Sequence, residues 1–277
     1  MTTTNPSATA TLAVTEVSPA YWQVTLNNPP INLHTAGMVS ELQELVSRLE
    51  SDEHVSVVVF DSADPDFFIS HVDVQGIGSN DTPGPSGLPP WPDVCTRLEY
   101  APCVTVGLIR GRARGVGSEF LLALDMRFAS KERAILCQPE IGFGFVPGGG
   151  GLERLPLVTG RSRAMEIVVG GEDFDADTAE RYGWVNRSIP DAELDSFVER
   201  LASRIAGFDR QAVITAKKIL NQRGQVAQGT DQLETFKTFV GLLQSPSAQH
   251  KISELLELGL QQRSDTEMNL AQVIAQL

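Results

Sequence analysis

Two glutamates sit in apolar, glycine-rich surroundings. Glu119 lies in Gly111-Arg-Ala-Arg-Gly-Val-Gly-Ser-Glu-Phe-Leu-Leu-Ala-Leu-Asp125. There a buried strand feeds a glycine-bearing turn, and the turn feeds an apolar helix. Glu119 falls in the first turn of that helix. A carboxylate among Phe, Leu and Ala has its pKa raised, which suits proton transfer near neutral pH. The unpaired N–H groups of a helix start can hold a developing oxyanion. The alternative for Glu119 is a helix-capping carboxylate, favoured there by the dipole. Glu140 follows a proline in Gln138-Pro-Glu-Ile-Gly-Phe-Gly-Phe-Val-Pro-Gly-Gly-Gly-Gly-Leu-Glu-Arg154. The proline puts it on extended or turning backbone, ahead of an apolar run and a helix with a glycine-rich start. Its alternative is a solvated turn carboxylate. The glycine cluster lacks the G-x-x-x-x-G-K-[ST] pattern of a nucleotide phosphate loop.

Taken in order, these segments resemble the enoyl-CoA hydratase/isomerase (crotonase) family. The matching residues are Gly115-Val-Gly-Ser-Glu119, then Gln138-Pro-Glu140, then Pro147-Gly-Gly-Gly-Gly151 with Arg154. Asn28-Pro-Pro-Ile-Asn32 with Met38, Phe67-Phe-Ile-Ser-His-Val-Asp73 and Ala216-Lys-Lys-Ile-Leu220 extend the likeness over about residues 11–225. The resemblance implies an α/β fold: a crotonase-like spiral of ββα units, then a C-terminal helical region that builds trimers. It implies a flexible tail over 1–10, a core domain over 11–205 and helices over 206–277.

For the site, the resemblance implies an oxyanion hole from the backbone N–H groups of Val72 and Val116. It makes Glu119 and Glu140 the catalytic pair that holds one water and relays a proton. It places substrate contacts at Leu33, Ile69, His71, Gly115 and Gly148, with the Gly148 N–H helping to place the water. Where the family has Gly, small and Gly, this chain has His71, Val72 and Val116. Valine disfavours positive φ and narrows a pocket, so the hole is expected to be smaller or reshaped. His71 is either a loop residue pointing outward or an extra acid/base group beside the site. The family's basic residue near Asn27–Asn28 is absent. Arg110, Arg112 and Arg114 either supply local positive charge for coenzyme A or form a solvated loop.

The implied activity is hydration of a 2-enoyl-CoA, or the reverse dehydration, through an enolate. Coenzyme A enters only as part of the thioester substrate, with no separate cofactor. Two alternatives stand beside it: a C–C bond hydrolase acting on a β-dicarbonyl compound, and a non-catalytic scaffold on this fold. The expected assembly is a homotrimer or a dimer of trimers.

The elements that must position these residues can be read from periodicity. Thr11–Val17 and Tyr21–Leu26 alternate as strands. Thr35 is a plausible N-cap for a helix to about Ser51, with Met38, Leu42, Leu45, Val46 and Leu49 on one face. Val55–Phe60 and Cys103–Ile109 read as strands buried on both sides. Gly76–Pro92, rich in glycine and proline, is too long for a simple connection and reads as a functional or mobile loop. Strands follow at Met126–Ala129 and Ala134–Cys137. Helices are expected at 116–124, 161–170, 176–182, 192–206, 210–222, 230–243, 247–262 and 265–276. The apolar stripes of the last helices predict a self-association surface, or else a tail folded back on its own core.

Composition narrows the partners. The 277 residues carry a net charge of −13. That field repels phosphate, which argues against nucleic acid and anionic membrane. No apolar run is long enough to span a bilayer. The first basic residue is Arg48, so no basic targeting segment is expected. Cys95, Cys103 and Cys137 form no C-x-x-C pair, which fits a reducing, cytoplasmic setting. The four histidines show no metal-ligand spacing, so no metal is expected.

Overall fold

The computed structural model describes residues 10–76, 82–224 and 229–277. The expected N-terminal tail lies almost wholly outside them, as does the 77–81 part of the Gly76–Pro92 stretch. The chain opens with β1 (Leu12–Ser18), β2 (Tyr21–Leu26), α1 (Ala36–Ser51), β3 (Val57–Ser62) and β4 (Phe67–Ile69). Next come α2 (Pro90–Tyr100), β5 (Val104–Ile109), β6 (Arg112–Arg114), α3 (Val116–Ala123), β7 (Met126–Ser130) and β8 (Ile135–Cys137). Then follow α4 (Glu140–Phe143), α5 (Gly151–Thr159), α6 (Arg161–Gly170), β9 (Phe174–Asp175), α7 (Ala176–Tyr182) and β10 (Arg187–Ile189). The rest is helical: α8 (Asp191–Ala206), α9 (Arg210–Arg223), α10 (Gly229–Leu243), α11 (Pro246–Glu257), α12 (Asp265–Met268) and α13 (Leu270–Ile274).

Two sheets share the strands. One runs β1-β2-β3-β5-β7-β10, the other β4-β6-β8-β9. Successive pairs, β3/β4, β5/β6 and β7/β8, each place one strand in the large sheet and the next in the small one. Helices follow each pair, so the ββα unit repeats and the spiral forms. Pairing is parallel except for β1–β2 and β8–β9.

The alternation within β3 shows why its run is apolar throughout. Val58 and Phe60 face the main core with α1, α2 and α3. Val57 and Val59 face a second cluster, closed by Leu194, Val198, Ala202 and Ile205 of α8. The helix α1 starts where expected, with Thr35 Oγ1 accepting from the Met38 N–H at 3.3 Å.

The C-terminal helices fold back on the chain that carries them. Phe239, Leu243, Ala248, Ile252, Leu255, Leu270 and Ile274 pack against Phe143 and Phe145. Lys217 of α9 reaches inward to the carbonyls of Cys103 at 2.8 Å and Leu98 at 3.3 Å. It also pairs with Asp125 at 2.8 Å.

Candidate active site

The turn into α3 is made by Gly115, at φ 52°. A Cβ there would also lie 2.7 Å from Glu140 Oε1 and displace that carboxylate. The positive φ falls on Gly115, so Val116 keeps a negative φ, as does Val72. This is why valine is tolerated at both positions.

Glu119 is buried and does not cap its own helix. Its Oε1 accepts from the N–H groups of Gly149 at 2.8 Å and Gly151 at 3.0 Å. Those donors belong to the glycine loop and the start of α5. Burial pushes the Glu119 carboxyl up. The two N–H groups pull it part of the way back, with smaller opposing effects of Glu153 and Arg154, and it settles at about 7.

Glu140 is buried at the start of α4, not solvated on a turn. The Gln138 amide, turned to suit its neighbours, places its nitrogen 3.3 and 3.2 Å from the two Glu140 oxygens. Burial first, and then the charge of Glu119, hold the Glu140 carboxyl well above the ordinary range. Both carboxyls are thus raised, and they titrate as a pair rather than independently.

Both glutamates line one cavity of about 150 Å³. Val72 and Val116 line it as well. Val72 forms a parallel bridge with His34 through its neighbours. The His34 N–H donates to the His71 carbonyl and the Asp73 N–H to the His34 carbonyl, both at 3.0 Å. The Val72 N–H is thus directed to the opposite edge. The Val116 N–H opens α3, where the helix offers it no acceptor.

Residues 16–259 match the profile of the enoyl-CoA hydratase/isomerase family. The chain belongs to that family. A "Probable enoyl-CoA hydratase, mitochondrial" of Dictyostelium discoideum is 30% identical over 202 residues, 72% of this chain and 71% of the relative. A "Probable enoyl-CoA hydratase" of Rhizobium meliloti is 31% identical over 203 residues, 72% of this chain and 77% of that one. Among solved structures, a Streptomyces avermitilis protein carries enoyl-CoA hydratase as a provisional name. It is 40% identical, covers 99% of both chains and superposes with a TM-score of 0.92. An enoyl-CoA hydratase from Mycobacterium avium subsp. paratuberculosis, 24% identical, covers 90% of this chain and 96% of that one. Its TM-score of 0.79 supports the crotonase fold alone.

The remaining positions implied by the family motif divide. Gly148 lines the cavity, with Phe239 occupying the space a Cβ would need, at 2.5 Å. The donors to Glu119 are its neighbours Gly149 and Gly151. Gly115 does not line that cavity but a small pocket that Val72, Val116 and Glu140 also line, and it lies under Glu140. Leu33 and Ile69 do not line the cavity. The Leu33 carbonyl accepts from the Asn28 side chain at 2.8 Å. Ile69 is fully buried beneath Gly117, whose Cβ would fall 2.4 Å from the Ile69 oxygen.

His71 does not point outward: it is buried beside the site and lines a small pocket together with Val72, Gly115, Val116 and Glu140. Both ring nitrogens are engaged, with Nε2 2.7 Å from Glu267 Oε1 and Nδ1 2.8 Å from the Val72 carbonyl. The three arginines are all engaged. Arg110 pairs with Asp191 and Asp195, Arg112 donates to the Met268 carbonyl, and Arg114 is fully buried against Asp173.

Sequence reasoning missed His34 and Trp91. Both line the cavity, their rings edge to face at 4.2 Å. Burial drops His34 to about 4, against smaller opposing effects of its own backbone and Asp73, so it is neutral at pH 7. The signal for His34 was its place two residues after Asn32. Trp91 was hidden inside the proline-rich stretch.

Proposed function

We propose that this protein adds water across the double bond of a 2-enoyl-CoA thioester, and removes it in reverse. The observation that carries this reading is the pair of buried carboxyls, Glu119 and Glu140, facing one cavity and both raised by burial. The thioester oxygen lies between the N–H groups of Val72 and Val116. Glu119, whose ionised form the Gly149 and Gly151 N–H groups favour, takes a proton from water as the water oxygen bonds to C3. The C2–C3 π pair shifts to C1–C2 and the carbonyl π pair moves onto the thioester oxygen, giving an enolate. The enolate collapses and C2 takes the proton of Glu140. A proton passed from Glu119 to Glu140 restores the pair, so one water is consumed. Acid and base both come from the chain, and coenzyme A enters only as part of the substrate.

The C–C hydrolase alternative gains no free acid/base group from His71, whose Nε2 is engaged by Glu267 at 2.7 Å. Two buried carboxyls are costly, and a scaffold has no use for them. The test is hydration of crotonyl-CoA and a longer 2-enoyl-CoA, followed by loss of enoyl absorbance. Glu119→Gln and Glu140→Gln should each lower kcat by about 10²–10⁴-fold. A folded wild-type protein that turns over no 2-enoyl-CoA would overturn the reading.

For the assembly, we propose a homotrimer or a dimer of trimers. Exposed Leu157 and Val158 on α5, with Met165 and Val169 on α6, support a contact between copies. Sedimentation showing a monomer at micromolar concentration would overturn it. A cytoplasmic setting is supported by the three buried, unpaired cysteines. No helix among the described residues is long and apolar enough to cross a membrane.

A further inference from the structure

The segment 261–268 touches both loops that carry the proposed oxyanion donors. Toward the first loop, Glu267 Oε1 meets His71 Nε2 at 2.7 Å, and Gln261 Nε2 donates to Asp73 Oδ1 at 2.7 Å. His71 and Asp73 are the two neighbours of Val72. Toward the second loop, Arg114 Nη1 donates to the Glu267 carbonyl at 2.5 Å, and Arg112 Nε to the Met268 carbonyl at 3.0 Å. Arg114 precedes Gly115 and Val116. Glu267 therefore holds one loop by its side chain and the other by its main chain.

The grip is itself held under strain. Gln261 lies at φ 65°, a conformation non-glycine residues rarely adopt. Its N–H donates to the same Glu267 Oε1, at 2.6 Å. Glu267 is fully buried, and the Ser264 hydroxyl accepts from its N–H as the cap of α12. Val72 is thus bracketed twice: by the His34 bridge on one edge, and through both its neighbours by this C-terminal strap.

We propose that Glu267 is a positioning residue which fixes the Val72 and Val116 N–H groups relative to each other, and so sets enolate stabilisation. The proposal rests on the enolate reading above. Donors aimed where charge develops lose much of their worth when displaced by a fraction of an ångström. The two loops leave the paired strands β4 and β6, and the strap ties them together a second time, beyond that pairing. The strap does not itself line the cavity, so its loss should fall on kcat.

The experiment uses the full chain and crotonyl-CoA, well below each variant's unfolding midpoint. Glu267→Ala should lower kcat by about 10–100-fold with KM changed less than about threefold, and Glu267→Gln, which keeps one acceptor, should fall between. His71→Ala should show a similar loss, and the double variant little more than either single one. Acetoacetyl-CoA adds a spectroscopic readout, because its enolate absorbs in the near ultraviolet. Wild type should enrich that band on binding and Glu267→Ala should not. Lys217→Met serves as the stability control, since it loosens a buried contact outside the cavity. Equal loss of kcat in Lys217→Met and Glu267→Ala at matched stability would overturn the proposal. So would an unchanged enolate band in Glu267→Ala. If wild type itself neither hydrates enoyl-CoA nor enriches the enolate, the hydratase reading falls and takes this inference with it.

Discussion

The Gly149 N–H donates to Glu119 Oε1 at 2.8 Å, and the same glycine leaves no room for a side chain. A Cβ there would lie 2.3 Å from Trp91 Nε1 and 2.4 Å from Glu119 Oε2. Gly149→Ala must therefore push either the indole or the carboxylate. Turnover should drop at least about tenfold, through Glu119 losing its alignment. Gly170→Ala is the matched comparison, because a Cβ there meets nothing within 4 Å. Gly170 ends a helix, so alanine should leave kcat unchanged and stability equal or up to about 1 kcal/mol higher. Parallel kinetics and urea unfolding of the two variants check this. Equal kcat for both would sink it.

The buried carboxyls should cost stability at neutral pH, with a definite sign. Glu119 goes from an ordinary value of 4.5 to about 7 on folding, chiefly through burial. Between those pH values the folded chain keeps a proton that the unfolded chain has released. Stability then falls as pH rises through the window. Glu140, also raised, by burial first and then by Glu119, adds a slope of the same sign. Glu119→Gln should be more stable than wild type at pH 8 by on the order of 3 kcal/mol. The difference should vanish below about pH 4.5. Denaturant titrations across pH 4–8 would show it, and a constant difference would count against it.

His34 carries the opposite sign. Burial, its largest influence, lowers the imidazole from 6.5 to about 4. Between those values the unfolded chain binds the extra proton, so stability is lost as pH falls from 6.5 toward 4. His34→Leu should flatten that acid limb while leaving the fold at pH 8 within about 1–2 kcal/mol of wild type. An acid limb as steep as in wild type would rule out this origin.

Much of the fold was legible because long elements repeat their pattern. Helices at 161–170 and 176–182 have the bounds periodicity assigns. The three-residue strands β4 and β6 were not, since so short a run shows no period. The helix α2 was lost in the proline-rich stretch. Its prolines sit in the first turn, where a missing N–H is harmless. The expected helix over 265–276 breaks at Asn269 into two short ones. At the site, motif order identified Glu119 and Glu140, but not what holds them. Glu119 takes its donors from a loop about thirty residues away, and His71 its partner from the far end of the chain. Such contacts depend on the topology of two sheets and a returning tail, which no local pattern encodes.

Lys217 shows how a motif residue can be structural. It belongs to the Ala216-Lys-Lys segment of the family likeness, yet it does not line the cavity. Its Nζ instead meets the Cys103 and Leu98 carbonyls and the Asp125 carboxylate. Asp125 in turn accepts from the Thr105 N–H at 2.8 Å, at the start of β5. One ammonium thus joins α9 to the end of α2, the start of β5 and the end of α3. Removing it leaves two buried carbonyls and a carboxylate short of a donor. Lys217→Met, of similar volume, should cost about 3–5 kcal/mol, the range for breaking one side of a buried ion pair. The carboxyl pair lies elsewhere, so kcat at low temperature should stay within about threefold of wild type. Chemical denaturation and crotonyl-CoA kinetics on one preparation separate the two effects. A large loss of kcat without loss of stability would place Lys217 in the reaction instead.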